Sequence, residues 1–263
     1  MRVIVPELAS PHVSLEEQLS RLATRRIFFG HQSVGQNLLD GVSEIALRHP
    51  AIRLRVAPVS SGLDAPVSSG LDAGVIGHAL MPENGVPELK LLNFERALDS
   101  GIGAVADVAL LKLCYLDFSA GTDPIRLFAR YRTTMTALGV KYPRVAFVHV
   151  TVPLTAMWGG TGTVASVKRI LGREPGSLVA NSRREEFNEL LRRRYGEAKE
   201  LFDLALLEST APSGARELHF WNGRAVPTLC PAYTDDGGHL NAAARVSMAQ
   251  ELVGVLASRG RPE

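Results

Sequence analysis

Three nearly unbroken apolar runs constrain this chain most: Ile27 to Phe29, Val105 to Leu113 and Val145 to Val150. A strand with one wet face alternates apolar and polar residues. A strand covered on both faces reads as a continuous run, as in a parallel sheet between two layers of helices. Ile52, Leu54 and Val56 alternate with Arg53 and Arg55, which predicts a further strand near a sheet edge. Leu201 to Leu207 is the expected fifth strand. Helical spacing fills the intervals between these runs. The alternation, repeated about five times, predicts an α/β fold, a three-layer α/β/α sandwich with a mostly parallel, flavodoxin-like five-stranded sheet. Residues 1–263 are read as one domain, with 1–24 as an N-terminal helical extension.

Local signals place the helices. Ser14 and Glu17 form a capping box ahead of Leu15, Leu19 and Leu22, and Ser182 with Glu185 is expected to open another helix. Pro87 begins a helix carrying Leu91, Phe94 and Leu98. Asp123-Pro124 is an N-cap followed by proline at the first helical position. Asn222-Gly223 predicts a hairpin within Leu218 to Leu229. The last helix is expected near Asn241, burying Leu240, Ala244, Met248, Leu252 and Leu256.

Ligands of such sheets bind at the carboxyl ends of the strands, so the turns there hold the interest. Arg25 to Gly41 reads as a buried strand, a turn and a helix beginning near Ser33. A serine at that turn exposes its hydroxyl beside free helix amides that favour negative charge. That suits a nucleophile whose reaction passes through an oxyanion; the plainer role for Ser33 is to cap the helix. Before the last helix stands Asp235-Asp236-Gly237-Gly238-His239-Leu240-Asn241. The two glycines permit a tight turn in which Asp236 reaches Nδ1 of His239. Nε2 is then left to accept a serine proton, which a weakly nucleophilic hydroxyl requires. A surface turn capped by Asn241 is the alternative.

These residues resemble the SGNH (GDSL-like) hydrolase superfamily, in their order along roughly 25–258. Gly30-His31-Gln32-Ser33 resembles the family's first block in its Gly-Gln-Ser variants, and Asp236-Gly237-Gly238-His239 matches the last. Val59-Ser60-Ser61-Gly62 resembles the second block, whose glycine N–H helps bind the oxyanion. An identical octapeptide repeat, APVSSGLD at 57–64 and 65–72, offers Gly70 as well. Gly62 is expected to be the donor and the second copy an insertion shaping the rim. The third block departs from the pattern: Cys114-Tyr115-Leu116-Asp117 puts leucine where the family has an asparagine donor. Leucine donates no hydrogen bond, so Asn84 or a backbone N–H is expected to substitute.

The resemblance implies a serine esterase cleaving a small acyl ester, such as an O-acetyl group on a carbohydrate, with Ser33, His239 and Asp236 as triad. His31, Gln32, Asp117 and Trp158 are read as substrate contacts, with a structural hydrogen bond as the alternative for His31 and packing as the alternative for Trp158. No cofactor is implied, and His78, His149 and His219 lack metal-ligand spacing. A catalytically weak or inactive carbohydrate-binding or scaffolding protein of the same fold, and an O-acyltransferase with the same triad, are the alternatives.

Charge and composition exclude other classes. Twenty-nine basic residues against 27 acidic ones give a net charge of +2, too balanced for a nucleic-acid binder. The arginines 192–194 are read as a solvated helix face. Two cysteines, Cys114 and Cys230, make no disulfide framework and are expected as buried thiols. No run approaches the ~20 apolar residues of a membrane span. Pro6 and Glu7 interrupt the first apolar stretch, so the chain reads as cytoplasmic unless a signal has been trimmed.

Overall fold

A computed structural model describes residues 13–59, 71–157, 176–198 and 200–259. The calls on Gly62, Gly70 and Trp158 lie outside the described residues. Six parallel strands form the central sheet in the order β2-β3-β1-β4-β5-β6. They are β1 (Arg26–His31), β2 (Arg55–Pro58), β3 (Val75–Leu80), β4 (Val108–Leu111), β5 (Ala146–Val150) and β6 (Leu201–Phe202). Alternate residues of each buried strand enter two separate cores. Ile27, Phe29, Val108 and Leu110 face helices α1 (Leu15–Leu22), α2 (Ser33–Leu47) and the C-terminal helix. Phe28, Ala109 and Leu111 face α3 (Pro87–Ala97), α4 (Pro124–Lys141) and α5 (Gly176–Tyr195). The three layers are therefore as expected, with the central strands β1, β4 and β5 covered on both faces and the edge strand β2 partly exposed. Leu19 and Leu22 of α1 are wholly buried in the first core, so this helix is part of the packed layer.

The sheet has six strands where five were expected. The added one, β3, lies between β1 and β2, and β2 begins at Arg55, three residues after the alternating pattern starts. Gly77 hides β3 in the sequence. A Cβ there would stand 2.6 Å from Leu71 Cδ1 and 2.8 Å from Val59 Cγ1, so the strand has no side chain where that layer presses closest. The fifth expected strand shrinks to Leu201–Phe202, because Asp203 caps a short helix, α6 (Leu204–Glu208), by accepting from the Leu206 N–H. Ser182 is not a cap either: α5 already begins at Gly176, which puts Ser182 inside it. Arg192 is no solvated side chain. It binds both oxygens of Asp203, at 2.6 and 3.0 Å, and Glu185 at 2.7 Å, fastening α5 to the β6–α6 turn.

The other local signals hold. Ser14 accepts from Glu17 N–H, Asp123 caps α4, and Asn241 caps the last helix, α7 (Ala242–Ser258), by accepting from Ala244 N–H. The hairpin of β7 (Leu218–Trp221) and β8 (Arg224–Pro227) turns on Asn222 and Gly223, both with positive φ. Cys114 and Cys230 are buried free thiols.

Two features of this frame position the site. β1 lies between β3 and β4, and the chain crosses β1 in passing from β3 on one side to β4 on the other, which makes the carboxyl end of β1 the switch point of the sheet. The helices α2 and α7 then cross in close contact. A Cβ on Gly41 would meet the Arg245 carbonyl oxygen at 2.3 Å, and Arg245 pairs with Glu44. The residue that opens α2 and the loop that precedes α7 are thereby brought together.

Candidate active site

His31 closes β1 and Gln32 stands extended in the N-cap position of α2, where its side chain makes no capping bond. Its amide instead donates to the Met81 carbonyl. Ser33 is the first helical residue, so its hydroxyl does not cap. It lies 2.9 Å from Nε2 of His239, contributed from 206 residues further along the chain.

His239 owes its place to a tight turn. Oδ1 of Asp236 accepts the backbone N–H groups of Gly238 at 2.9 Å and His239 at 2.8 Å. Gly237 adopts φ +88°, as an unbranched residue can, and its N–H donates to the Thr234 hydroxyl at 2.9 Å. Oδ2 of Asp236 is then left to accept from Nδ1 of His239 at 2.5 Å. A proton on Nδ1 leaves Nε2 with the lone pair that faces Ser33. The backbone N–H and imidazole of His239 hold the Asp236 carboxyl far below its ordinary range, so it stays ionised. Asn37 of α2 anchors the turn by accepting the Leu240 N–H at 3.1 Å. Ser33 is exposed, and the His239 and Asp236 side chains keep 38% and 56% of their surface. A hydroxyl, an imidazole and an ionised carboxylate in line are the parts that general-base activation of a serine requires.

The remaining expected contacts fall elsewhere. Asp117 was expected to meet substrate and is buried instead. It accepts from Lys90 Nζ at 2.7 and 2.9 Å, Gly85 N–H at 2.9 Å and Cys114 N–H at 2.7 Å, which leaves it nothing to offer a ligand. His31 is also withdrawn: it is wholly buried, with Nδ1 at the Gln32 carbonyl and Nε2 2.9 Å from Nδ1 of His78. Burial pushes its pKa down to about 4, so the ring is neutral. Gln32 is half-buried and spends its amide on Met81. Asn84 is exposed, is tied by its side-chain oxygen to Lys90 at 2.8 Å, and shares no hydrogen bond with Ser33, His239 or Asp236. Leu116 is 54% exposed in the turn after β4.

The structure adds residues that no spacing marked. Tyr115 sets its ring edge-on to His239, with centroids 6.0 Å apart. Arg184 lies beneath Tyr115, 4% exposed, on a helix whose basic character suggested only solvent. Lys90 is wholly buried against Asp117. Among the described residues no three His, Cys, Asp or Glu side chains are grouped to hold a metal ion. No helix among them is long and apolar enough to cross a membrane.

No protein-family model and no curated protein sequence matches the chain. Solved structures do. A Streptococcus pneumonia protein given the provisional name platelet activating factor is 11% identical, with a TM-score of 0.52 over 92% of this chain and 91% of that one. A lipase/acylhydrolase from Enterococcus faecalis is 13% identical, with a TM-score of 0.49 over 91% and 98% of the two chains. A G-D-S-L family protein from Desulfitobacterium hafniense DCB-2 is 7% identical, with a TM-score of 0.47 over 87% and 98%. At such identities a likeness speaks for the fold and not for the chemistry. With six parallel strands between two helical layers and a likeness across nine-tenths of its length, the chain shares the α/β/α fold of the Streptococcus pneumonia protein.

Proposed function

We propose that the protein is a serine esterase cleaving a small acyl ester, with O-acetyl groups on a carbohydrate as the substrate class to try first. The observation that carries this reading is the hydrogen-bond chain Ser33–His239–Asp236, 2.9 and 2.5 Å long, at the switch point of the sheet. Ser33 Oγ attacks the acyl carbonyl while Nε2 of His239 takes its proton. The tetrahedral intermediate expels the alcohol, which leaves with that proton, and an acyl-Ser33 remains. Water then attacks the acyl group with His239 again as base, releasing the acid and restoring the serine. Asp236 holds the imidazole in the Nδ1–H tautomer and stabilises the imidazolium. The first-turn amides of α2, without a capping side chain, offer donors to the oxyanion.

A second reading, a binding protein with little catalysis, is favoured by Leu116. Absence of one oxyanion donor typically lowers kcat about 100- to 1000-fold. The test is turnover of a short-chain aryl acetate together with fluorophosphonate labelling. Turnover well above that of Ser33→Ala, with stoichiometric labelling at Ser33, is expected. Turnover equal to Ser33→Ala, with no labelling, would leave the binding protein as the better account.

A further inference from the structure

The turn that carries Asp236 and His239 is braced on two sides, and both braces lead to one buried cation. On the first side stands Tyr115, edge-on to the His239 ring. Its hydroxyl comes so near the turn that a Cβ on Gly238 would lie 3.0 Å from it. On the second side runs the segment after β5, where Ala156 N–H donates to the Gly237 carbonyl at 2.8 Å. Arg184 of α5 reaches both. Its Nε donates to the Tyr115 carbonyl at 3.1 Å and its guanidinium lies 5.8 Å from that ring's centroid. Nη1 donates to the Thr155 hydroxyl at 2.9 Å and to the Asn181 side-chain oxygen. Asn181 completes the second brace, accepting the Thr155 N–H at 3.1 Å and donating to the Thr155 carbonyl at 2.8 Å.

The hydrogen-bond partners of Arg184 are all neutral oxygens. A guanidinium buried this way costs free energy that an apolar side chain of similar volume would not. What it adds is a rigid fork of donors aimed at two chain segments at once. Burial pushes its pKa down to about 10, which leaves it charged at neutral pH.

We infer that Arg184, acting through Tyr115 and Thr155, is a positioning residue that keeps His239 aligned between Ser33 and Asp236. The inference rests on the proposed triad. Tyr115 fixes the ring from its edge, and Thr155-Ala156 fixes the backbone of the turn. Arg184 keeps the two at constant separation. The alignment has little slack, since displacing a reacting group by about 1 Å can cost on the order of 100-fold in rate.

The test compares Arg184→Met, which keeps the volume and loses the donors, with Arg193→Met on the solvent side of the same helix. Melting temperature, kcat and KM for an aryl acetate, and the rate of Ser33 labelling are measured. So is the downfield proton resonance of Nδ1–H in the His239–Asp236 bond. Arg184→Met is expected to stay folded, with kcat and labelling rate down about 100-fold, KM within about twofold and the downfield resonance lost. Arg193→Met should match the wild type. If Arg184→Met fails to fold, Tyr115→Leu carries the test, with about a tenfold loss and the same spectral change expected. A folded Arg184→Met or Tyr115→Leu with the resonance intact and wild-type kcat would overturn the inference. Wild-type turnover no faster than Ser33→Ala would sink the esterase reading alone. The resonance still reports the alignment in that case, and its persistence in Arg184→Met would overturn the inference separately.

Discussion

Asp117 and Asp236 stand in turns on the same rim of the sheet, and each accepts backbone N–H groups from its own turn. Their surroundings separate them. Asp117 is buried, and both its oxygens are taken by Lys90, Gly85 and Cys114. Asp236 commits Oδ1 to its own turn and keeps Oδ2 for an imidazole. A carboxylate whose lone pairs are all occupied by its own chain organises backbone. One with an oxygen reserved for a titratable partner can steer a proton. The site therefore owes its character to what is left over after the turn is built.

That contrast breaks first under substitution. Asp236→Asn keeps the shape of the turn and removes the charge that fixes the imidazole tautomer. Turnover should fall about 10,000-fold, the loss typical of a triad carboxylate turned to amide. The melting temperature should barely move, because the side chain is 56% exposed. An Asp236→Asn protein keeping more than a tenth of wild-type turnover would put the base elsewhere.

Asp117→Asn should do the reverse. It leaves the Lys90 ammonium buried without a counter-charge, which costs about 3–5 kcal/mol of stability in a urea titration. Turnover per folded molecule should stay close to wild type. A raised KM with unchanged stability would restore Asp117 as a substrate contact.

These differences also mark what was legible in the sequence. Ser33, Asp236 and His239 could be read because each lies in a short motif whose spacing dictates its local geometry. The three layers followed from the apolar runs. Lys90–Asp117 and Arg184–Tyr115 could not be read, since the partners stand 27 and 69 residues apart and only the finished fold joins them. Asp117 reads as a contact because it stands on the same rim as Asp236, and burial, which tells the two apart, is a tertiary property. β3 escaped because Gly77 breaks its pattern where Leu71 and Val59 press in.

The turn after β4 offers a smaller and sharper test. Leu116, half-exposed there, stands where the sequence resemblance leads one to expect an asparagine donor. Leu116→Asn should raise kcat about 10- to 100-fold if its amide meets the oxyanion. An unchanged rate would mean that the hole is already complete from backbone amides.

The smallest effect extends the comparison from carboxylates to imidazoles. His239 keeps 38% of its side-chain surface, whereas His31 is wholly buried and His149 is 3% exposed. Burial pushes the pKa of His31 down to about 4 and that of His149 to about 3, with Arg194 and Arg259 adding to the second shift. In the unfolded chain both titrate near 6.5. Between that value and their folded pKa values the unfolded chain takes up protons that the folded protein refuses. The stability linked to these rings is therefore complete above about pH 6.5 and drains away as the pH falls, at up to about 1.4 kcal/mol per pH unit for each ring. Urea titrations at intervals from pH 7 to 4 should show this slope. His149→Phe should remove one ring's share of it, on top of a constant loss from the Tyr131 hydroxyl that His149 now meets at 2.8 Å. An unchanged slope in His149→Phe would show that carboxylates, and not buried imidazoles, set the acid limit of this fold.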